Sequence, residues 1–134
     1  MKISKIIYFL ILALNLTITN NSSYGSSHNS NKNIKDVYEH LKNNQFSEAI
    51  NELKNLSEKN KPKAQLLYAK ILYSGDITTQ DFEMSYFWAN TSKLGGLKNS
   101  SNILDKLNDL IDDENKLKIN EKIKLFLNKL AITG

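Results

Sequence analysis

Residues 64–100 read AQLLYAKILYSGDITTQDFEMSYFWANTSKLGGLKNS, and this stretch decides the fold of the chain. It begins and ends with a small residue, Ala64 and Ser100, and a loop after Gly75 divides it into two apolar segments. A unit of this length is typical of stacked helix pairs. Because stacked pairs present extended surfaces, the stretch favours a binding protein over an enzyme.

The first segment carries the signals of one amphipathic helix. Pro62 stands near its start, where the missing backbone N–H costs nothing. Gly75 follows its last turn, where a residue in the left-handed conformation can end a helix. The apolar side chains between them recur at helical spacing and predict one apolar stripe: Ala64, Leu67, Tyr68, Ile71 and Leu72.

The second segment predicts a helix that lies close to the first. Asp81 is placed to cap it, because its carboxylate can accept hydrogen bonds from the exposed N–H groups of the first turn. Gly95 and Gly96 are placed to end it. Mostly small side chains form its stripe, which lets two helix axes approach closely: Phe82, Ser85, Ala89 and Ser92.

Together these spacings resemble the Sel-one-like repeat, a branch of the tetratricopeptide-repeat superfamily. Five residues are identical to the pattern of that repeat: Ala64, Gly75, Asp81, Trp88 and Gly96. Small side chains remain where the helices of the family touch, at Ala69, Ser85, Ser92 and Ser100, and bulky apolar ones remain at Tyr68 and Leu72. The chain departs from the pattern at Ile77, Thr78 and Lys93. The alternative is an ordinary helical hairpin whose spacing coincides with the repeat.

Apolar stripes on both sides of this unit predict two further helix pairs. The stripe before it covers residues 37–56 with a break at residues 43–44. The stripe after it covers residues 103–130 with a break at residues 112–113. With the resemblance, they imply an all-α fold, a short right-handed α-solenoid of about three antiparallel helix pairs.

Sequence features divide the chain into three parts. Residues 1–19 have a short basic start, an apolar run too short for a comfortable membrane span and a polar end, the layout of a secretory signal peptide. Residues 20–33 are rich in Asn and Ser and predict a disordered linker, and residues 34–131 form the helical-repeat domain. We therefore expect a secreted or periplasmic protein without a stable membrane span. The alternative is an uncleaved signal that serves as an N-terminal membrane anchor.

Composition argues against nucleic acid as the partner. All 18 basic residues are lysines, so the chain lacks the arginine fork that usually recognises phosphate and guanine. No cysteine is present, which excludes disulfides and attachment through a lipid-modified cysteine. The fold must therefore be stabilised by packing alone.

No combination of residues indicates catalysis, a cofactor or a bound metal. His28 and His40 have no further ligand at helical spacing. Asp105, Asp109 and Asp113 recur every fourth residue, which predicts an exposed acidic stripe on one helix face rather than a catalytic pair. The chain also lacks a nucleophile elbow and a glycine-rich phosphate loop. We therefore expect a protein that is not an enzyme.

A second stripe of the first helix is the candidate surface for a partner. Leu66, Ala69, Lys70 and Tyr73 lie at i, i+3, i+4 and i+7, off the main apolar stripe. The resemblance implies that the first helix of each pair lines the concave side of the solenoid, where this stripe would face a groove. The alternative is that the stripe packs against the preceding helix pair.

These features predict an exported or periplasmic adaptor that binds a protein or peptide through its helical-repeat surface. Two alternatives from other classes stay open. One is a secreted enzyme or a protein active on the cell envelope, which requires a pocket of convergent titratable groups. The other is a self-associating structural subunit, capped poorly enough at its ends to stack.

Replacing Trp88 tests whether this repeat position belongs to the core. If the indole is buried, Trp88→Ala should lower the free energy of unfolding by about 3–5 kcal/mol, enough to unfold a domain this small. Thermal unfolding followed by circular dichroism measures the effect. A melting temperature close to that of the unchanged protein would make Trp88 a surface contact instead.

Overall fold

In a computed structural model, the described part of the chain is residues 30–133, with side chains from residue 34, and it is all-helical without a strand. The helices are α1 (Ser30–Lys42), α2 (Phe46–Glu58), α3 (Pro62–Ser74), α4 (Phe82–Leu94), α5 (Ser101–Leu107) and α6 (Asp113–Thr133). A single 3-10 turn, Lys98–Ser100, leads into α5. The predicted all-α class is confirmed.

The N-terminal predictions fall mostly outside this range. The predicted signal peptide, residues 1–19, and residues 20–29 of the predicted linker lie outside the described residues. Helix α1 begins at Ser30, so it starts before Ile34, where the sequence predicts the beginning of the domain.

Two asparagines turn the chain between its first three helices. Asn44 follows α1 and Asn60 follows α2, and both have a left-handed backbone, with φ of 58° and 55°. Asparagine adopts this conformation more readily than most residues because its short side chain can form local hydrogen bonds. The break predicted at residues 43–44 is confirmed, and α1, α2 and α3 each pack against the next helix in the chain.

The loop between α3 and α4 follows the predicted capping chemistry. Gly75 ends α3 in the left-handed conformation, with φ of 67°. Asp81 caps α4, because its Oδ1 accepts a hydrogen bond of 2.8 Å from the Met84 backbone N–H. The Asp81 backbone N–H donates to the Leu72 carbonyl at 3.0 Å. This bond ties the start of α4 to the last turn of α3.

Helix α3 lies between the two halves of the core. One of its faces packs against α1 and α2, in a cluster of Ala64, Leu67 and Ile71 with Val37, Leu41, Ala49, Leu53 and Leu56. Its other face joins a second cluster, in which Leu66, Ala69 and Leu72 meet Trp88, Ala89, Ile103, Leu107, Ile111, Ile119 and Ile123. The prediction of one stripe is therefore wrong at Leu72, because α3 buries two faces against different neighbours.

The contact between α3 and α4 is the most extensive helix contact in residues 30–133. Two serines of α4 form hydrogen bonds across it: Ser85 Oγ donates to the Ala69 carbonyl at 2.7 Å, and Ser92 Oγ donates to the Pro62 carbonyl at 2.8 Å. Ser100 Oγ donates in turn to Ser92 Oγ at 2.9 Å. All three serines are fully buried. The small residues predicted at the helix contact are confirmed there.

The chain after Ser100 differs from the prediction. Helix α5 ends at Leu107 and the next residues form a turn, because the Asn and Asp side chains there favour turns over helix. Asp105 therefore lies in α5, Asp109 in the turn and Asp113 at the start of α6. The predicted acidic stripe on one helix face is wrong.

Helix α6 completes the second half of the core. Asp112 caps it by accepting a hydrogen bond of 2.9 Å from the Asn115 backbone N–H, and this bond lowers the pKa of the Asp112 carboxyl. Ile119 and Ile123 are buried in the second cluster. The most extensive contact of α6 is with α4, although α5 precedes it in the chain.

Gly95 lies where the end of α4 meets the start of α3. A Cβ atom on this residue would be 2.6 Å from Cγ of Pro62, closer than packed carbon atoms allow. Gly96, the glycine of the repeat pattern, has φ of 95° and open space where a Cβ would stand. The two glycines thus serve different purposes: Gly95 permits close helix approach, and Gly96 permits a left-handed turn.

Gly95→Ala should lower the free energy of unfolding by about 1–3 kcal/mol, because the added methyl group overlaps the Pro62 ring. The loss should shrink when Pro62→Ala is also present, which a double-mutant cycle in urea denaturation measures. Gly96→Ala is the control, since its cost comes from backbone strain and should not depend on Pro62. Equal losses for Gly95→Ala in both backgrounds would contradict the overlap.

Candidate binding cleft

A cleft of about 330 Å³ opens between α4 and α6, beside the end of α2. Its lining consists of Glu58 from α2, Asp81, Glu83, Met84, Phe87 and Trp88 from the start of α4, and Ile119, Lys122 and Phe126 from α6. Ligand sites usually have volumes of about 300–1,000 Å³, so the cleft is large enough for a side chain or a small molecule. It is called the α4–α6 cleft below.

Three aromatic rings form the apolar wall of the α4–α6 cleft. Trp88 packs edge-to-face against Phe87, with ring centroids 4.8 Å apart, and against Phe126, with centroids 5.6 Å apart. Edge-to-face contacts of this kind are favourable because the positive edge of one ring meets the negative face of another. Trp88 is only 6% exposed, so its indole belongs to the core. The wall is therefore part of the packed structure.

The indole N–H of Trp88 has no hydrogen-bond partner, although its nitrogen is buried. Buried donors in folded proteins are nearly always paired. In the described residues, the other buried side-chain polar atoms without a partner are Ser57 Oγ and Gln65 Oε1, and neither residue lines the cleft. Trp88, one of the wall residues, thus has a buried donor that lacks an acceptor.

Charged side chains surround this wall. Glu58, Asp81 and Glu83 contribute carboxylates, and Lys122 contributes the one ammonium group of the lining. The salt bridges in residues 34–133 all join neighbours along α6: Lys116 with Asp113, Lys118 with Glu114, and Lys124 with Glu121. None of the four charged groups of the cleft has an ion-pair partner among these. Three acids facing one base make the cleft locally acidic in a chain of net charge +4.

Tyr68 of α3 lies next to the cleft. Its ring centroid is 6.1 Å from that of Trp88, so the two rings are in contact. Burial raises the pKa of the Tyr68 phenol, and the negative charges of Asp81 and Glu58 raise it further. The hydroxyl group of Tyr68 therefore interacts electrostatically with two of the carboxylates that line the cleft.

The stripe of α3 that the sequence predicts as a partner surface does not line the α4–α6 cleft. Leu66 and Ala69 are buried in the second core cluster, so this prediction is corrected at both positions: packing against α4 and its neighbours covers them. Tyr73 is half-buried, with its ring 5.8 Å from that of Phe82 and Lys106 Nζ 5.9 Å from its centroid. Lys70 is half-buried as well. The five residues of the repeat pattern take structural positions, as the resemblance implies, at helix ends or in the core: Ala64, Gly75, Asp81, Trp88 and Gly96.

Residues suited to metal binding do not come together in the described part of the chain. It contains no group of three His, Cys, Asp or Glu side chains that could hold a metal ion. The ring of His40 contacts Gln45, with 2.9 Å between Nδ1 and Oε1. His28 lies outside the described residues.

Sequence reasoning missed most of the α4–α6 cleft. Glu58, Lys122 and Phe126 belong to helices far apart in sequence, and no periodic pattern connects them. One local signal was available: Phe87 and Trp88 are adjacent, so two large rings widen the apolar surface of α4 beyond a single stripe. The sequence does not show that Phe126 of α6 contacts both of these rings, because that depends on where α6 packs.

Comparison of the chain with protein-family models, curated proteins and solved structures finds no match. The resemblance to Sel-one-like repeats therefore stays a prediction that rests on the residues of positions 64–100.

Within residues 30–133, no helix combines the length and the apolar character needed to cross a membrane.

Proposed function

We propose that this chain is an exported or periplasmic adaptor that binds a protein or peptide partner in the α4–α6 cleft. The observation that carries the proposal is the cleft itself, where three aromatic rings meet charges that have no ion-pair partner. Large aromatic side chains dominate the energetic centres of protein interfaces, and a few polar groups around them provide specificity.

The proposal includes a short right-handed solenoid of about three helix pairs, similar to Sel-one-like repeats. The packing of each helix from α1 to α4 against the next supports it. So do the two buried faces of α3, because an inner helix of a stack contacts neighbours on both sides. Contact of α4 with both α5 and α6 extends the packing to the last two helices.

The lining of the cleft favours binding over catalysis. It contains no His, Ser, Thr or Cys side chain, so it lacks the hydroxyl or thiol nucleophile with a His base that acyl transfer commonly uses, and its three acids are exposed rather than enclosed in a pocket. Its acids lie around an aromatic wall. This supports the adaptor over a secreted enzyme or a protein active on the cell envelope.

Site-specific crosslinking in the producing cells tests the function. A photoreactive benzoyl-phenylalanine in place of Met84, which is 42% exposed at the cleft, should form an adduct with a partner protein. The same probe in place of Lys54, exposed on α2 and outside the cleft, is the control. The adduct should appear in the periplasmic or secreted fraction. Identical adduct patterns at both positions, or none at either, would count against an adaptor that uses this cleft.

The exposed apolar side of α6 favours a second candidate, the self-associating subunit. Leu117, Leu125 and Ile132 are 68%, 69% and 85% exposed, on the side of α6 opposite the buried Ile119 and Ile123. Glu121, paired with Lys124, lies between Leu117 and Leu125, so these apolar side chains share their side of α6 with charged ones. A second copy of the chain is the simplest partner that could cover Leu117, Leu125 and Ile132.

Leu117→Lys combined with Leu125→Lys tests this candidate. If α6 pairs with a second copy, the unchanged protein should sediment as an oligomer at micromolar concentration and the double variant as a monomer. The melting temperature of the monomer should change little, because both side chains are exposed. Asn120→Lys, exposed on another side of α6, controls for added charge. A monomeric unchanged protein would exclude self-association.

A further inference from the structure

The charges of the α4–α6 cleft select for a cationic ligand. Glu58, Asp81 and Glu83 are all exposed, so their carboxylates can reach a ligand without becoming deeply buried. Asp81 uses one oxygen to cap α4, whereas Glu58 and Glu83 form no hydrogen bond or ion pair among the described side chains. Lys122 offsets only part of their charge. A ligand of positive charge restores the balance.

The aromatic wall favours an organic cation over a bare metal ion. Cations bind favourably over the faces of aromatic rings, and a guanidinium group is planar and weakly hydrated, so it stacks there and still reaches carboxylates. Phe87 and Phe126, which are half-buried, supply ring surface beside Trp88, and Glu58 and Glu83 supply the carboxylates. A bare metal ion fits poorly, because the acids do not form a group that could hold one.

The unpaired donor of Trp88 points to a peptide rather than a free amine. A donor needs an acceptor, and a main-chain carbonyl next to the bound side chain would supply one. The Trp88 nitrogen is buried, so the side chains around it must move to admit that carbonyl. Met84 at the cleft is half-exposed, and its unbranched side chain adapts easily.

We propose that the α4–α6 cleft receives an arginine side chain of a partner peptide, stacked on the aromatic wall and paired with Glu58 and Glu83. The inference rests on the proposed adaptor function and specifies the chemistry of its partner. No arginine occurs in this chain, so the preferred residue cannot come from a second copy.

Fluorescence of Trp88, the only tryptophan of the chain, reports occupancy directly. The full chain is titrated into the millimolar range with an acetylated, amidated peptide Gly-Ser-Arg-Ser-Gly. The control peptide contains citrulline, which keeps the shape of arginine without its charge. We expect a saturable change with the arginine peptide, weakened by added salt, and at least about tenfold weaker binding of the citrulline peptide.

Charge-removing variants identify the carboxylates. Glu58→Gln together with Glu83→Gln should weaken binding of the arginine peptide by about tenfold, because two charge-assisted contacts are lost. Glu39→Gln, exposed on α1 and outside the cleft, should bind like the unchanged chain. All three positions are exposed, so the variants should fold, and circular dichroism verifies this.

Three results of the peptide titrations would overturn the inference: no saturable change with the arginine peptide, equal affinity for the citrulline peptide, or equal affinity of the double variant. A change in Trp88 emission with protein concentration alone would assign the cleft to a second copy and would also overturn it. The crosslinking at Met84 separates this failure from that of the adaptor function. A partner captured there without arginine selectivity leaves the adaptor standing, whereas no captured partner removes both.

Discussion

The close approach of α3 and α4 is the constraint on which the rest of the structure depends. Larger side chains at Ser85 or Ser92 would push the two helices apart. Both serine hydroxyls also donate hydrogen bonds to backbone carbonyls of α3, so neither is left unpaired. Gly95 allows the end of α4 to touch the Pro62 ring. Through this contact, α3 joins the cluster with α1 and α2 to the cluster with α5 and α6.

The same contact determines which surface is free for a partner. Because packing against α4 and its neighbours covers Leu66 and Ala69, α3 has little free surface on that side. Free surface with aromatic character occurs instead where α4 meets α6, next to the end of α2. The candidate site is therefore built by α2, α4 and α6.

Local features of the fold could be predicted because their physics is local. Gly75 ends α3 and Asp81 caps α4 through atoms a few residues away, and Pro62 begins a helix whatever surrounds it. Two predictions failed for different reasons: the face of Leu72 depends on distant elements, whereas the acidic stripe is broken by the local turn after Leu107. Leu72 was assigned to the wrong face, and Asp105, Asp109 and Asp113 were assigned to one helix that the chain divides in two.

The sequence by itself determined the helical class, the turns and the small residues at the central helix contact, because spacing and capping act over one or two helical turns. Only the tertiary structure decided that α3 is buried on both sides and that α6 packs against α4. That packing brings Glu58, Trp88 and Phe126 to one cleft. Residues separated by whole helices share no periodicity, so their meeting depends on how the helices stack.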